Sequence, residues 1–149
     1  MPALAVADAL RARGAEVSFV GARGSGAGVA VRAAGYREDV IALRGLVRRV
    51  SLRNVWAVAL AVLAVPRAAS LIVRRRAQVV VGGGSYVAGP VALAAWLTRR
   101  PLLLTEADSH MGMANRLAAP LARRVTLAFP LAGRSGAKYV VTGRPVGTD

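Results

Sequence analysis

The stretch Val79–Pro90, VVVGGGSYVAGP, decides how this chain is read. Three consecutive β-branched residues make a buried strand, and three glycines directly after it let the backbone turn tightly and approach a ligand closely. A strand, a glycine-rich turn and a helix in that order form the repeating unit of a parallel α/β sheet. The N–H groups that open such a helix suit a phosphate. The residues alone leave two readings open, a bare strand-to-helix turn or a phosphate cradle, because the glycine spacing is not that of a dinucleotide fingerprint.

The same alternation continues in both directions. Upstream, the pattern predicts a helix over Pro2–Arg13 ended by Gly14, a strand Glu16–Val20, a weak helix Gly28–Ala34 and a strand Asp39–Leu43. A long helical segment follows over Ser51–Arg76, with Ser51 as N-cap, a kink at Pro66, and Arg74, Arg75 and Arg76 favourably placed at its C-terminus. Downstream come a helix Pro90–Leu97, a strand Leu102–Thr105, a helix Gly112–Ala122 and strands Val125–Phe129 and Tyr139–Thr142. The fold class is therefore α/β, a Rossmann-like parallel sheet with helices on both faces. No repeat or linker marks a second domain. GARGSGAG at Gly21–Gly28 has no acidic residue at the ribose distance, which argues against a dinucleotide site there.

Composition narrows the chemistry. At 149 residues the chain has the length of one compact domain, and 55% apolar against 19% charged residues predicts a buried core. With no cysteine and the single histidine His110, neither a thiolate nucleophile nor a cysteine- or histidine-rich metal site can form, and no cofactor is expected. The net charge of +14, with Lys138 the only lysine, calls for an anionic partner, although a GC-rich genome also inflates arginine. The apolar run Val55–Val65 spans eleven residues before Pro66 and Arg67, short of the roughly 20 of a spanning helix, so it reads as buried or interfacial. Asp8 interrupts the apolar stretch near the N-terminus and no basic n-region precedes it, so this segment reads as an amphipathic helix starting at Pro2 rather than as a signal peptide.

Beyond the glycine turn, two clusters carry chemistry. In LLTEADSHMGMAN at 103–115, Glu106 and Asp108 are placed just past the end of a strand, where open α/β sheets hold ligands. The alternative is that Asp108 or Ser109 caps the next helix, and His110 reads as a surface loop residue. Arg44, Arg48, Arg49 and Arg53 precede Trp56 and the apolar run. That arrangement fits an interfacial membrane contact, with arginines on lipid phosphates, or a solvated basic face. Aromatics are only 5%, too few for the base stacking of single-stranded nucleic acid.

Taken in order, PALAVADALRARGAEVSFVG, AGY, RGL, SLRN, VVVGGGSYVAGPVALAAWL, PLLLTEAD, GMANRLAAPLARRVTLAFP and TGRPV resemble the N-terminal domain of the MurG family over essentially the whole chain. These are bacterial glycosyltransferases that add N-acetylglucosamine to lipid I, making lipid II for peptidoglycan. The resemblance implies the N-terminal half of a two-domain, GT-B type enzyme. This half would receive lipid I, the undecaprenyl-diphosphate-linked muramoyl pentapeptide, while a C-terminal half would hold most of the UDP-N-acetylglucosamine. It also implies inverting displacement at the sugar and a peripheral position on the anionic, cytoplasmic face of the cell membrane, with no nucleic acid partner. By resemblance Gly82, Gly83, Gly84, Ser85 and Tyr86 belong to the acceptor diphosphate site. Glu106 matches the Glu of the family's His-Glu-Gln-Asn, and Asn115 the Asn of its Gly-x-x-Asn. These two and Asp108 are implied as acceptor or donor contacts.

The departures from the family pattern are equally specific. The first strand and first glycine loop, ending in the family's proposed catalytic His, would precede Met1, so no catalytic residue is assigned. The expectation is a truncated N-terminal domain over 1–149 without its donor-binding partner, inactive alone. Thr105 stands for the family His, Ala107 for Gln, Asp108 for a nucleotide-contacting Asn, Arg144 for Asn and Gly147 for a donor-binding Arg. Without the first strand, its two neighbours are expected either to keep open inner edges or to be forced together. Two other readings remain: a non-catalytic, membrane-docked acceptor module working with a separate donor-binding chain, and an unrelated basic Rossmann-like module for nucleotides or nucleic acid.

Overall fold

The computed structural model describes residues 2–44 and 52–145. In chain order the elements are α1 Pro2–Ala12, β1 Ser18–Ala22, α2 Ala27–Ala33, β2 Arg37–Ile41, α3 Leu52–Arg74, β3 Val80–Gly82, α4 Ala88–Leu97, β4 Leu102–Glu106, α5 Met113–Ala118, β5 Arg124–Leu127 and β6 Tyr139–Val141. All strand pairings within the ladders are parallel, as the βα alternation predicts. They fall into two sheets, β1–β2 and β3–β4–β5–β6. Among the described strands no ladder joins β1 to β3. Of the two outcomes expected for these neighbours, both keep an open inner edge.

Helices hold the two sheets together. Because successive strand residues point to opposite faces, Phe19 packs with Ala7, Val31 and Tyr36 under α1 and α2, while Val20 and Ala22 pack with Ile41, Ala64 and Val87 against α3 and the start of α4. The next turns of α3, at Val65, Ala68 and Ile72, enter the larger core with Val80, Leu102, Leu104, Val125 and Leu127. The small residues Ala92, Ala94 and Ala95 of α4 are fully buried there, which lets neighbouring backbones approach closely. Burying Leu104, Val125 and Leu127, each 1% exposed or less, supplies roughly 2 kcal/mol per side chain.

Several boundaries differ from the sequence expectation. Strands β1 and β2 run two residues further toward Ala22 and begin two residues earlier at Arg37, respectively, than Glu16–Val20 and Asp39–Leu43. Gly21 stays in the ladder opposite Val40, and the Glu38 carboxylate fills the space beside it. A Cβ at Gly28 would sit 2.9 Å from the Glu38 carboxyl carbon, so this glycine stretch makes room for a carboxylate that pairs with Arg32. The expected helix Gly112–Ala122 splits into α5 and a 3-10 turn, Ala119–Leu121, because Pro120 has no N–H to continue the ladder. Helix α3 passes through Pro66, which faces solvent, and reaches 23 residues, far beyond the eleven-residue apolar run. It is the one described helix long and apolar enough to cross a membrane by length and composition, with 28% of its most apolar window buried. The expected cap Ser51 lies outside the described residues.

Tyr36 fastens α1 to the end of α2. Its hydroxyl donates to the Asp8 carboxylate at 2.6 Å, its ring meets Phe19 edge-on, and the Arg11 guanidinium lies over it. Burial, then the bond to Asp8, push the phenol's pKa above its ordinary value, with Arg11 opposing. A raised folded pKa means that the folded state holds the proton more tightly. This contribution is complete below the ordinary tyrosine range and is lost as pH rises through the raised value. Unfolding midpoints are expected to fall at alkaline pH above about 10, with a shallower fall in Tyr36→Phe. An identical alkaline limb in the variant would contradict the assignment.

Candidate functional site

At the carboxyl edge of the four-stranded sheet, β3 leaves through Gly82. A Cβ here would come within 2.7 Å of the Leu104 side chain, so glycine lets β3 and β4 close up. Gly83 is exposed and has open space around it, and Gly84 holds φ +80°, a left-handed conformation cheap only for glycine. Ser85 and Tyr86 are exposed, and the Ala88 N–H donates to the Ser85 carbonyl at 2.8 Å to start α4. Among the described residues, the backbone N–H groups of Gly84, Ser85 and Tyr86 make no hydrogen bond. Successive amides without partners, placed just before a helix, form a concavity of positive potential.

Behind this loop lies a buried polar network. Glu106 is the last residue of β4 rather than the first beyond it, because its backbone still pairs with Leu127 of β5. Its carboxylate accepts from the Gly112 N–H at 2.9 Å, from Asn115 Nδ2 at 3.0 Å and from the Asp108 N–H at 3.3 Å. Gly112 is the N-cap residue of α5, so neither Asp108 nor Ser109 caps this helix. The Glu106 side chain reaches the helix start from the strand instead. Asp108, Ser109 and His110 are exposed.

Asn115 is fully buried, and its Nδ2 also donates to the Thr105 carbonyl at 3.0 Å. The two acceptors fix the amide orientation, since a flipped amide would turn its oxygen toward a carboxylate and a carbonyl. Asn115 Oδ1 therefore remains a buried acceptor without a donor, on the side where a Cβ at Gly84 would lie 3.8 Å away. Thr105 completes the brace, its hydroxyl donating to the Gly82 carbonyl at 3.3 Å. Sequence reasoning noted Thr105 only as a departure and did not find this tie.

Residues 1–127 match the glycosyltransferase family 28 N-terminal domain. The chain belongs to glycosyltransferase family 28. It is 45% identical over 149 residues to the UDP-N-acetylglucosamine--N-acetylmuramyl-(pentapeptide) pyrophosphoryl-undecaprenol N-acetylglucosamine transferase of Acidithiobacillus ferrooxidans, covering 97% of this chain and 40% of the relative. The same-named protein of Moorella thermoacetica is 44% identical over 151 residues, with the same two coverages. The crystal structure of Acinetobacter baumannii MurG superposes with a TM-score of 0.81 at 28% identity, over 96% of this chain and 40% of that one. The chain thus spans about 40% of the length of the curated relatives it matches. Family 28 membership replaces the reading of an unrelated basic module.

Within this family 28 domain the structure gathers Gly82–Tyr86, Glu106 and Asn115 at one edge. Asp108 is beside them but faces solvent, touching the cluster only through its backbone. Arg44 is exposed after β2, and Trp56 is 59% exposed on α3. Arg48 and Arg49 lie outside the described residues, as do the Arg53 side chain and Gly147. Among the described residues no group of three His, Asp or Glu side chains could hold a metal ion.

Proposed function

We propose that this chain is the acceptor-side part of an enzyme transferring N-acetylglucosamine from UDP-N-acetylglucosamine to lipid I. The observation that carries the reading is the loop Gly84–Tyr86, whose three unpartnered amides precede α4 at the carboxyl edge. These amides would hold the acceptor diphosphate, while Glu106 and Asn115 keep the loop and the start of α5 in register from behind. The acceptor hydroxyl would attack the anomeric carbon as the bond to UDP breaks, with inversion. This chain's part is to bind and orient the acceptor. The base is assigned to no described residue.

Two further elements belong to this reading. A parallel strand entering α1 would fit between the open edges of β1 and β3, pairing with both, as the first strand of a doubly wound sheet does. Helix α3 would lie on the cytoplasmic face of the membrane. It exposes Val55, Trp56, Val58, Val62 and Leu63 while Ala57, Ala64, Ala68 and Ile72 face the core, so one side is free for lipid and the other is committed to protein. Arg44, Arg48, Arg49 and Arg53 would meet headgroup phosphates near its start.

The test is a chimera in which this chain replaces its matching segment of the Acidithiobacillus ferrooxidans relative, keeping all of the relative's other residues. Transfer of labelled N-acetylglucosamine to lipid I is the expected result. A folded chimera that binds UDP-N-acetylglucosamine but makes no lipid II would overturn the reading.

A further inference from the structure

The glycine stretch after β1 does more than make room for Glu38. Arg23 follows the last residue of β1 and extends its ladder, its N–H donating to the Ile41 carbonyl at 3.2 Å. The Ser25 N–H then closes a tight turn onto the Ala22 carbonyl at 3.1 Å, with Gly24 inside it at φ +77°. Arg23, Gly24 and Gly26 are exposed. Among the described residues the Arg23 guanidinium is in no ion pair, and the Gly24 and Gly26 N–H groups make no hydrogen bond. The acid beside the turn, Glu38, is 4% exposed and paired with Arg32, so it leaves Arg23 unanswered.

Packing brings this turn beside the loop Gly84–Tyr86. Ala22, the last residue of β1, and Val87, the first after the loop, are buried in one apolar cluster with Ile41 and Leu43. Arg23 and Tyr86 are therefore each one residue from the same cluster. They leave it on different sides. Ala22 faces α3 and the start of α4, and alternation along the ladder turns Arg23 to the opposite face of the sheet. With room for one strand between β1 and β3, the two loops are two strand spacings apart, about 10 Å. One diphosphate cannot occupy both, so the arginine is placed for a second anion.

We infer that Arg23 and its turn hold the free carboxylate at the end of the acceptor's peptide. The acceptor in the relatives' name is an N-acetylmuramyl pentapeptide on a pyrophosphoryl-undecaprenol. A peptide joined to the muramyl group through its amino end carries a carboxylate at the other end. Five residues reach up to about 17 Å, which covers the distance from one loop to the other. A planar guanidinium fork with two N–H groups close by matches the paired oxygens of a carboxylate. The inference rests on the acceptor reading of Gly84–Tyr86 and adds to it the recognition of the peptide.

Two lipid I analogues provide the test, alike except that the peptide of one ends in a carboxylate and that of the other in a carboxamide. Their equilibrium binding to the chimera is measured in neutral detergent, where no anionic lipid surface contributes. The unaltered chimera is expected to bind the carboxylate form about tenfold more tightly. Arg23→Ala should abolish that preference by weakening the carboxylate form alone. Its unfolding midpoint should not move, because Arg23 is exposed and makes no ion pair among the described residues. Equal binding of the two analogues by the unaltered chimera overturns the inference. So does an Arg23→Ala loss shared by both analogues, which would put the guanidinium on the diphosphate. If neither analogue binds the folded, unaltered chimera, the acceptor reading itself fails and the inference falls with it.

Discussion

Changing Asn115 to alanine is expected to lower the unfolding free energy by about 3 kcal/mol, as large as removing a core leucine. The residue is completely buried, so its amide bonds are made in a low-dielectric interior. Its Nδ2 serves two acceptors, the Thr105 carbonyl and the Glu106 carboxylate. Removing it leaves a carboxylate, itself 7% exposed, short of one donor. A charge-assisted bond lost from a buried group costs more than a neutral one, which places the effect at the top of the usual single-mutation range. Denaturant unfolding with an unchanged slope measures it. A loss below about 1 kcal/mol would mean that the network does not brace the domain.

The second large effect is at Gly84. Valine there must adopt φ near +80° and place its Cβ about 3.1 Å from Asn115 Nδ2, so strain and clash add. A loss of about 3 kcal/mol is expected for Gly84→Val. The two sites touch, so they should not be additive. In Gly84→Val with Asn115→Ala the smaller side chain clears the space, and the double change should cost at least 1 kcal/mol less than the sum. Strict additivity would show that the loop and the amide are not in contact.

These two residues also mark where sequence reading reaches its limit. The glycine loop was legible because a β-branched run followed by three glycines can hardly be anything but a strand and a tight turn. The βα order was legible for the same local reasons, and family 28 membership agrees with the resemblance carried by motifs along the whole chain. The burial of Asn115 was not legible, since nothing local distinguishes an exposed helical asparagine from one wedged behind a loop contributed by another strand. Glu106 was placed one residue too far out because strand ends depend on the neighbour, here Leu127. Gly21 misled the end of β1, since a glycine that makes room for Glu38 resembles a glycine that ends a strand. Arg23 is far from the glycine loop in the sequence, and only the burial of Ala22 and Val87 in one cluster brings the two together.

The central claim is that Gly84–Tyr86 holds the acceptor rather than the donor. The chimera tests this most directly through its KM for each substrate, with Tyr86→Pro, which removes one of the three unpartnered amides, compared with the unaltered loop. Tyr86 is 44% exposed and leaves the buried network untouched, so folding should be preserved. The predicted result is a KM for lipid I raised roughly tenfold, with the KM for UDP-N-acetylglucosamine unchanged. A raised KM for UDP-N-acetylglucosamine, with that for lipid I unchanged, would contradict the account.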